Sequence, residues 1–102
     1  MGSGMTERDL KLICIKSGRR CAFPDCRAEL VIDGDPNDSD VIMGELAHIK
    51  GGNPGSARYD GNMTATARNG YSNRILICPT CHTKIDKRPN TYTVEDLLRI
   101  KR

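Results

Sequence analysis

The chain has 102 residues, room for one domain, with a single Phe, no Trp and 37% apolar residues. A chain this small and poor in aromatics buries a modest core and commonly needs a staple such as a structural metal. No apolar run is long enough to cross a bilayer and no charged-then-apolar leader is present, which gives the expectation of a soluble cytoplasmic protein.

The net charge of +3 hides an asymmetry. Glu29, Asp33, Asp35, Asp38, Asp40 and Glu45 crowd into residues 29–45, which hold no Lys or Arg. The rest carries sixteen bases against seven acids. A basic body with one acidic loop suits a polyanionic partner such as nucleic acid, although a solvated surface with incidental bias fits the charge equally well.

Residues 1–4 read as a cloning remnant ahead of a natural start at Met5, and residues 5–102 as the domain. The spacing predicts a first helix over residues 6–17, with Thr6 as N-cap, Asp9 in the capping-box position and Gly18 as C-cap. Leu10, Ile13 and Cys14 share its apolar face, so Cys14 is expected to be a small buried residue. Residues 30–32 and 41–43 predict two strands paired as a hairpin around an acidic loop over residues 33–40. Residues 46–49 continue the strand pattern after an interruption near Gly44. Residues 50–72 form a long connection rich in Gly, Asn and Ser, a length that in a small domain is often functional. Residues 75–77 predict a strand, residues 80–87 a helix ended by Pro89, and residues 93–101 a final helix with Thr93 as N-cap and Asp96 in the capping-box position. That helix still reads as helical where the sequence stops, as in a piece of a longer protein.

Five cysteines are present. Cys21-x4-Cys26 and Cys78-x2-Cys81 make two knuckles, and in a reducing compartment such pairs favour metal over disulfides. Four thiolates close a tetrahedral Zn²⁺ site with no position left for water, so that zinc is structural. With the zinc filled by sulfur, His48 and His82 are free for other chemistry. His82 opens the helix after the second knuckle and Asp86 lies four residues on, on the same helical face. Together they can hold a divalent ion with positions open to phosphate and water. His48, at a strand end, can take a proton from water, and the amide of Asn73 can hydrogen-bond its ring and fix its tautomer. Taken singly each residue has a plainer reading: a surface histidine, a turn asparagine, or a fifth zinc candidate in His82.

The order His48, Asn73, His82, set on strand, strand and helix around a double knuckle, resembles the HNH endonuclease family in its zinc-bearing branch. The resemblance covers roughly residues 19–90. It implies an α+β fold: a small ββα-metal domain with a structural four-cysteine zinc site and flanking helices. It implies that His48 is the general base, that Asn73 orients it and braces the loop, and that His82 and Asp86 bind the catalytic ion, Mg²⁺ or another divalent metal. Many members carry a ligand immediately before the first histidine. Here that residue is Ala47, and Glu45, of the same strand parity, is the substitute. The implied reaction is hydrolysis of DNA phosphodiester bonds, with Arg58, Arg68, Arg74 and Lys84 as candidate contacts to the backbone of double-stranded DNA. Residues 53–60 and 92–101 also resemble N-terminal nuclease modules of bacterial anti-phage effectors. That likeness implies a defence or restriction nuclease whose sensor or regulatory domain lies outside this sequence, and a homodimer wherever both strands are cut. The rival reading is a zinc-knuckle module that binds nucleic acid without cutting it.

Overall fold

The computed structural model describes residues 5–102, so the remnant expected at residues 1–4 lies outside the described residues. The chain folds as a small mixed helix-and-sheet domain in which four cysteines meet. Helix α1 spans Glu7–Ser17. Its N-terminus is closed by the reciprocal Thr6–Asp9 capping box, which satisfies two N–H groups that a helix end otherwise leaves orphaned. Gly18 ends it at φ 65°, a left-handed conformation that glycine adopts without steric penalty. The inward line of α1 runs through Ile13 and Ser17. Leu10 is 41% exposed and Cys14 is exposed, so the buried Cys14 expected from periodicity is corrected. Periodicity gave the right stripe spacing, but the docking of α1 against the last strand of the sheet selected the neighbouring stripe.

Strands β1 (Val31–Ile32) and β2 (Val41–Ile42) pair antiparallel around the acidic loop, as expected. Their side chains are mostly solvated, with Ile42 80% exposed. The chain then passes Gly44, where an added Cβ would meet Leu76 Cδ1 at 3.1 Å and Leu30 Cβ at 3.2 Å. A side chain there would force the second sheet off Leu30.

That sheet pairs β3 (Glu45–His48) with β4 (Arg74–Ile77), antiparallel, with Ala47 opposite Ile75 and His48 opposite Arg74. Ala47, Ile75 and Ile77 are buried, and Ile49, Ile85, Leu97 and Cys21 complete the sealed centre. The connection between β3 and β4 is not structureless. It contains a four-residue helix α2 (Ala65–Arg68), N-capped by Thr64, and a 3₁₀ turn over Tyr71–Asn73. Helix α3 (Pro79–Lys87) leaves β4 through Cys78, its N-cap, with Pro79 supplying the fixed φ of a first helical residue. Helix α4 (Val94–Lys101) repeats the capping box with Thr93 and Asp96, and its Leu97 is fully buried. Phe23 and Tyr92 meet edge to face at 5.7 Å, tying the first knuckle to the turn before α4. No helix among the described residues is long and apolar enough to cross a membrane.

Candidate functional site

Two clusters draw on α3. The first is sulfur. Cys21 is held by its backbone N–H donating to Ala28 O, and Cys26 by a turn in which its N–H donates to Phe23 O. Cys78 Sγ accepts the N–H of Cys81, so one thiol caps α3 and faces the others. The four Sγ atoms all lie within 4.8 Å of one another, and Cys26 and Cys78 are 3.8 Å apart. A tetrahedral ion with metal–sulfur bonds of about 2.3 Å has ligand–ligand edges of roughly 3.8 Å. The four cysteines are therefore spaced to hold one metal ion. Burial pushes the Cys21 and Cys81 thiols up. Burial opposes ionisation of Cys78 too, but hydrogen bonds from the backbone and thiol of Cys81 and from Cys26 and Cys21 outweigh it and hold that thiol below its ordinary value. A cation at the centre relieves this conflict by taking all four as thiolates.

The second cluster is a cleft of about 360 Å³, lined by His48, His82, Asp86 and a glycine-rich turn through Gly51, Gly52, Asn53 and Ser56. His48 closes β3. Its Nε2 lies 2.8 Å from Asn69 Oδ1, which only accepts, so in the neutral ring Nε2 carries the proton and Nδ1 the lone pair. Gly52 lies against the ring face, where an added Cβ would approach Cε1 to 3.2 Å and Nδ1 to 3.4 Å.

Asn73 does not touch that ring, and the hydrogen bond expected between them is corrected: Asn69 makes it. Asn73 is 94% buried and works on the backbone instead. Its Oδ1 accepts from Lys50 N at 2.8 Å, and its Nδ2 donates to Lys50 O and Arg68 O. Its own carbonyl accepts from Ile49 N. The carboxamide thus continues the β3–β4 ladder one step and ties both ends of the long connection together. Asn69 escaped the sequence reading because α2, which it C-caps, is one turn long and leaves no periodic trace.

His82 stands between two carboxylates. Glu45 Oε1 lies 2.7 Å from Nδ1, and Asp86 Oδ2 lies 3.2 Å from Nε2. Glu45 therefore holds the far nitrogen and does not converge with Asp86 as a further ligand. Among the described residues only the four cysteines bring three or more ligating side chains together. With Nδ1 turned to Glu45, Nε2 and the Asp86 carboxylate oxygen form a donor pair on the other side of the ring. Cis ligands of an octahedral ion at about 2.1 Å lie roughly 3.0 Å apart, so the Nε2–Oδ2 pair fits two such positions.

The expected DNA-contacting arginines turn inward. The Arg58 side chain is 5% exposed and donates to Ile49 O, Ile85 O and Tyr92 O. Arg68 donates to Asp60 O and Met63 O and stacks on Tyr59 at 4.9 Å. Arg74 donates to Leu46 O and Asn69 O, and burial pulls its guanidinium below the ordinary value. These three residues hold loops to strands, which corrects their expected role in phosphate contact. Lys84 is exposed on α3 and free to meet a phosphate.

The fold and the sulfur cluster define the class: a small mixed helix-and-sheet domain able to hold a metal on four cysteines. No model of a known protein family matches the chain, and no curated protein matches it.

Proposed function

We propose that this domain is a metal-dependent DNA endonuclease of the HNH type, with a structural zinc on Cys21, Cys26, Cys78 and Cys81. The observation that carries the reading is the shared cleft: His48 opens onto the same space as the His82–Asp86 donor pair. The succession β3, β4, α3, with the first histidine on the first strand and the second on the helix, supports it.

On this reading His48 Nδ1 takes the proton of a water molecule as it attacks phosphorus, and Asn69 keeps Nε2–H in place so that Nδ1 remains the base. His82 Nε2 and Asp86 Oδ2 would hold Mg²⁺ or another divalent ion, whose chemistry is to stabilise charge on the phosphoryl oxygens and the leaving oxygen. Glu45, on Nδ1 of His82, fixes the ring so that Nε2 points into the cleft, the part carboxylates play behind metal-bound histidines. Lys84 supplies a non-specific phosphate contact. Two copies would be needed to cut both strands of a duplex.

The test is single-turnover cleavage of a labelled duplex by zinc-loaded protein in Mn²⁺, beside His82→Ala and Asp86→Asn. Loss of cleavage in both, with duplex binding retained, supports the nuclease. Duplex binding without cleavage by the unaltered protein would replace it with a zinc-knuckle binding module.

A further inference from the structure

Arg58, next in sequence to the cleft-lining Ala57, has a side chain that is 5% exposed. Its backbone sits at φ 57°, a left-handed conformation that disfavours residues with a Cβ and persists where its surroundings hold it there. The side chain supplies that hold. Nε donates to Ile49 O at 2.7 Å, and Nη1 to Ile85 O at 2.7 Å and Tyr92 O at 3.2 Å. Three separate segments, the end of β3, the end of α3 and the turn before α4, are thus pinned to the loop that forms the cleft wall. Nη2 is buried and makes no hydrogen bond among the described residues. The charge it faces is Asp86 Oδ1 at 3.7 Å. A buried guanidinium without an anion is costly, so this contact is a constraint on both partners.

Asp86 is consequently held by both oxygens: Oδ1 toward Arg58 and Oδ2 toward His82 Nε2 at 3.2 Å. Its carboxylate is otherwise half exposed and would rotate freely. We infer that Arg58 is a positioning residue that fixes the Asp86 carboxylate against His82 and locks the glycine-rich cleft wall to α3. Its place in catalysis rests on the nuclease reading, whereas its hold on Asp86 and the loop does not.

The two are separated by reading the clamp without cleavage. In zinc-loaded protein with no other divalent cation, the ring ¹H–¹⁵N signals of His82 are recorded for the unaltered chain, Arg58→Lys and Asp86→Asn. Amide exchange of residues 51–56 is measured in parallel. The expected result is that Arg58→Lys shifts the His82 ring signals and speeds loop exchange about 10-fold or more, while the signals of Cys21, Cys26, Cys78 and Cys81 stay in place. Unmoved ring signals and unchanged loop exchange in folded Arg58→Lys would overturn the inference. Should Arg58→Lys fail to fold, Asp86→Asn decides. That exposed isosteric change must shift the protected Arg58 Nη–H signals if the pair exists, and their constancy would overturn it. Where the unaltered protein cleaves DNA, Arg58→Lys is expected to lower kcat about 10- to 100-fold, in the range of other outer-shell partners, with KM for DNA unchanged. A raised KM with unchanged kcat would instead make Arg58 a DNA contact.

Discussion

At His48, two neighbours decide what the ring can do. Asn69 fixes which nitrogen carries the proton, and Gly52 leaves the ring face uncovered. Replacing Gly52 by Ala would bring a methyl to 3.2 Å from His48 Cε1, so the ring must shift to admit it. Cleavage should therefore fall, and equal activity in Gly52→Ala would show that the ring has room to move. Asn69→Ala releases Nε2 and leaves His48 free to exchange tautomers. Cleavage is expected to drop by about 10-fold, short of the roughly 10²- to 10⁴-fold contribution of a general base itself. At this scale sequence alone placed His48 and His82 at the cleft, because their types and order are chemically restrictive. It missed Asn69 and assigned Asn73 to the wrong partner. A carboxamide's partner is set by how a loop folds back, and nothing local in residues 50–72 encodes that.

Helix ends were legible because capping is local chemistry. Thr6 with Asp9, Gly18, and Thr93 with Asp96 all stand where their side chains dictate. Helix α2 and the exposure of Cys14 were not, since one turn has no period and the docked stripe of α1 depends on β4. Helix α4 allows a pH test. Hydrogen bonds from Arg99, and after it Thr93, hold the Asp96 carboxyl below its ordinary value. A depressed carboxyl stabilises the fold above its unfolded value of 3.8, and that stability is lost as pH falls through the lower folded value. Amide exchange along α4 should accelerate below that pH, and Asp96→Asn should remove the dependence. For the knuckles, a structural zinc contributes about 10–16 kcal/mol of apparent binding energy, comparable with or above the ordinary 5–15 kcal/mol stability of a domain. Chelation is expected to unfold the chain cooperatively, seen as loss of helical circular dichroism; a chelated chain that keeps its helices would refute a structural role for the four cysteines.

Across the molecule, the surplus of basic residues is less available than the composition suggests. Arg58, Arg68 and Arg74 spend their guanidiniums on carbonyls, so truncating any of them to Ala should lower the thermal midpoint, which loss of a phosphate contact alone would not do. Lys84 is different. Lys84→Ala should lower duplex affinity uniformly across sequences and reduce the salt slope by about one unit, with no change in thermal midpoint. The β1–β2 hairpin stands away from the core, consistent with a radius of gyration of 14.1 Å against about 13 Å for a compact chain of this length. The hairpin around the acidic loop was readable from strand patterning, whereas the separate β3–β4 sheet and the inward turn of the arginines were not. A charged residue's destination depends on which carbonyls lie within reach, and that is fixed only when β3, α3 and the turn before α4 have met.

The central claim is that His48 and the His82–Asp86 pair form one hydrolytic centre. The most direct measurement is conversion of supercoiled plasmid by zinc-loaded protein in Mg²⁺, beside the same protein without Mg²⁺ and beside zinc-loaded His48→Ala. The expected result is nicking or linearisation that requires both Mg²⁺ and His48, with plasmid binding retained in the variant. Cleavage that survives His48→Ala at full rate would contradict the account and move the base elsewhere.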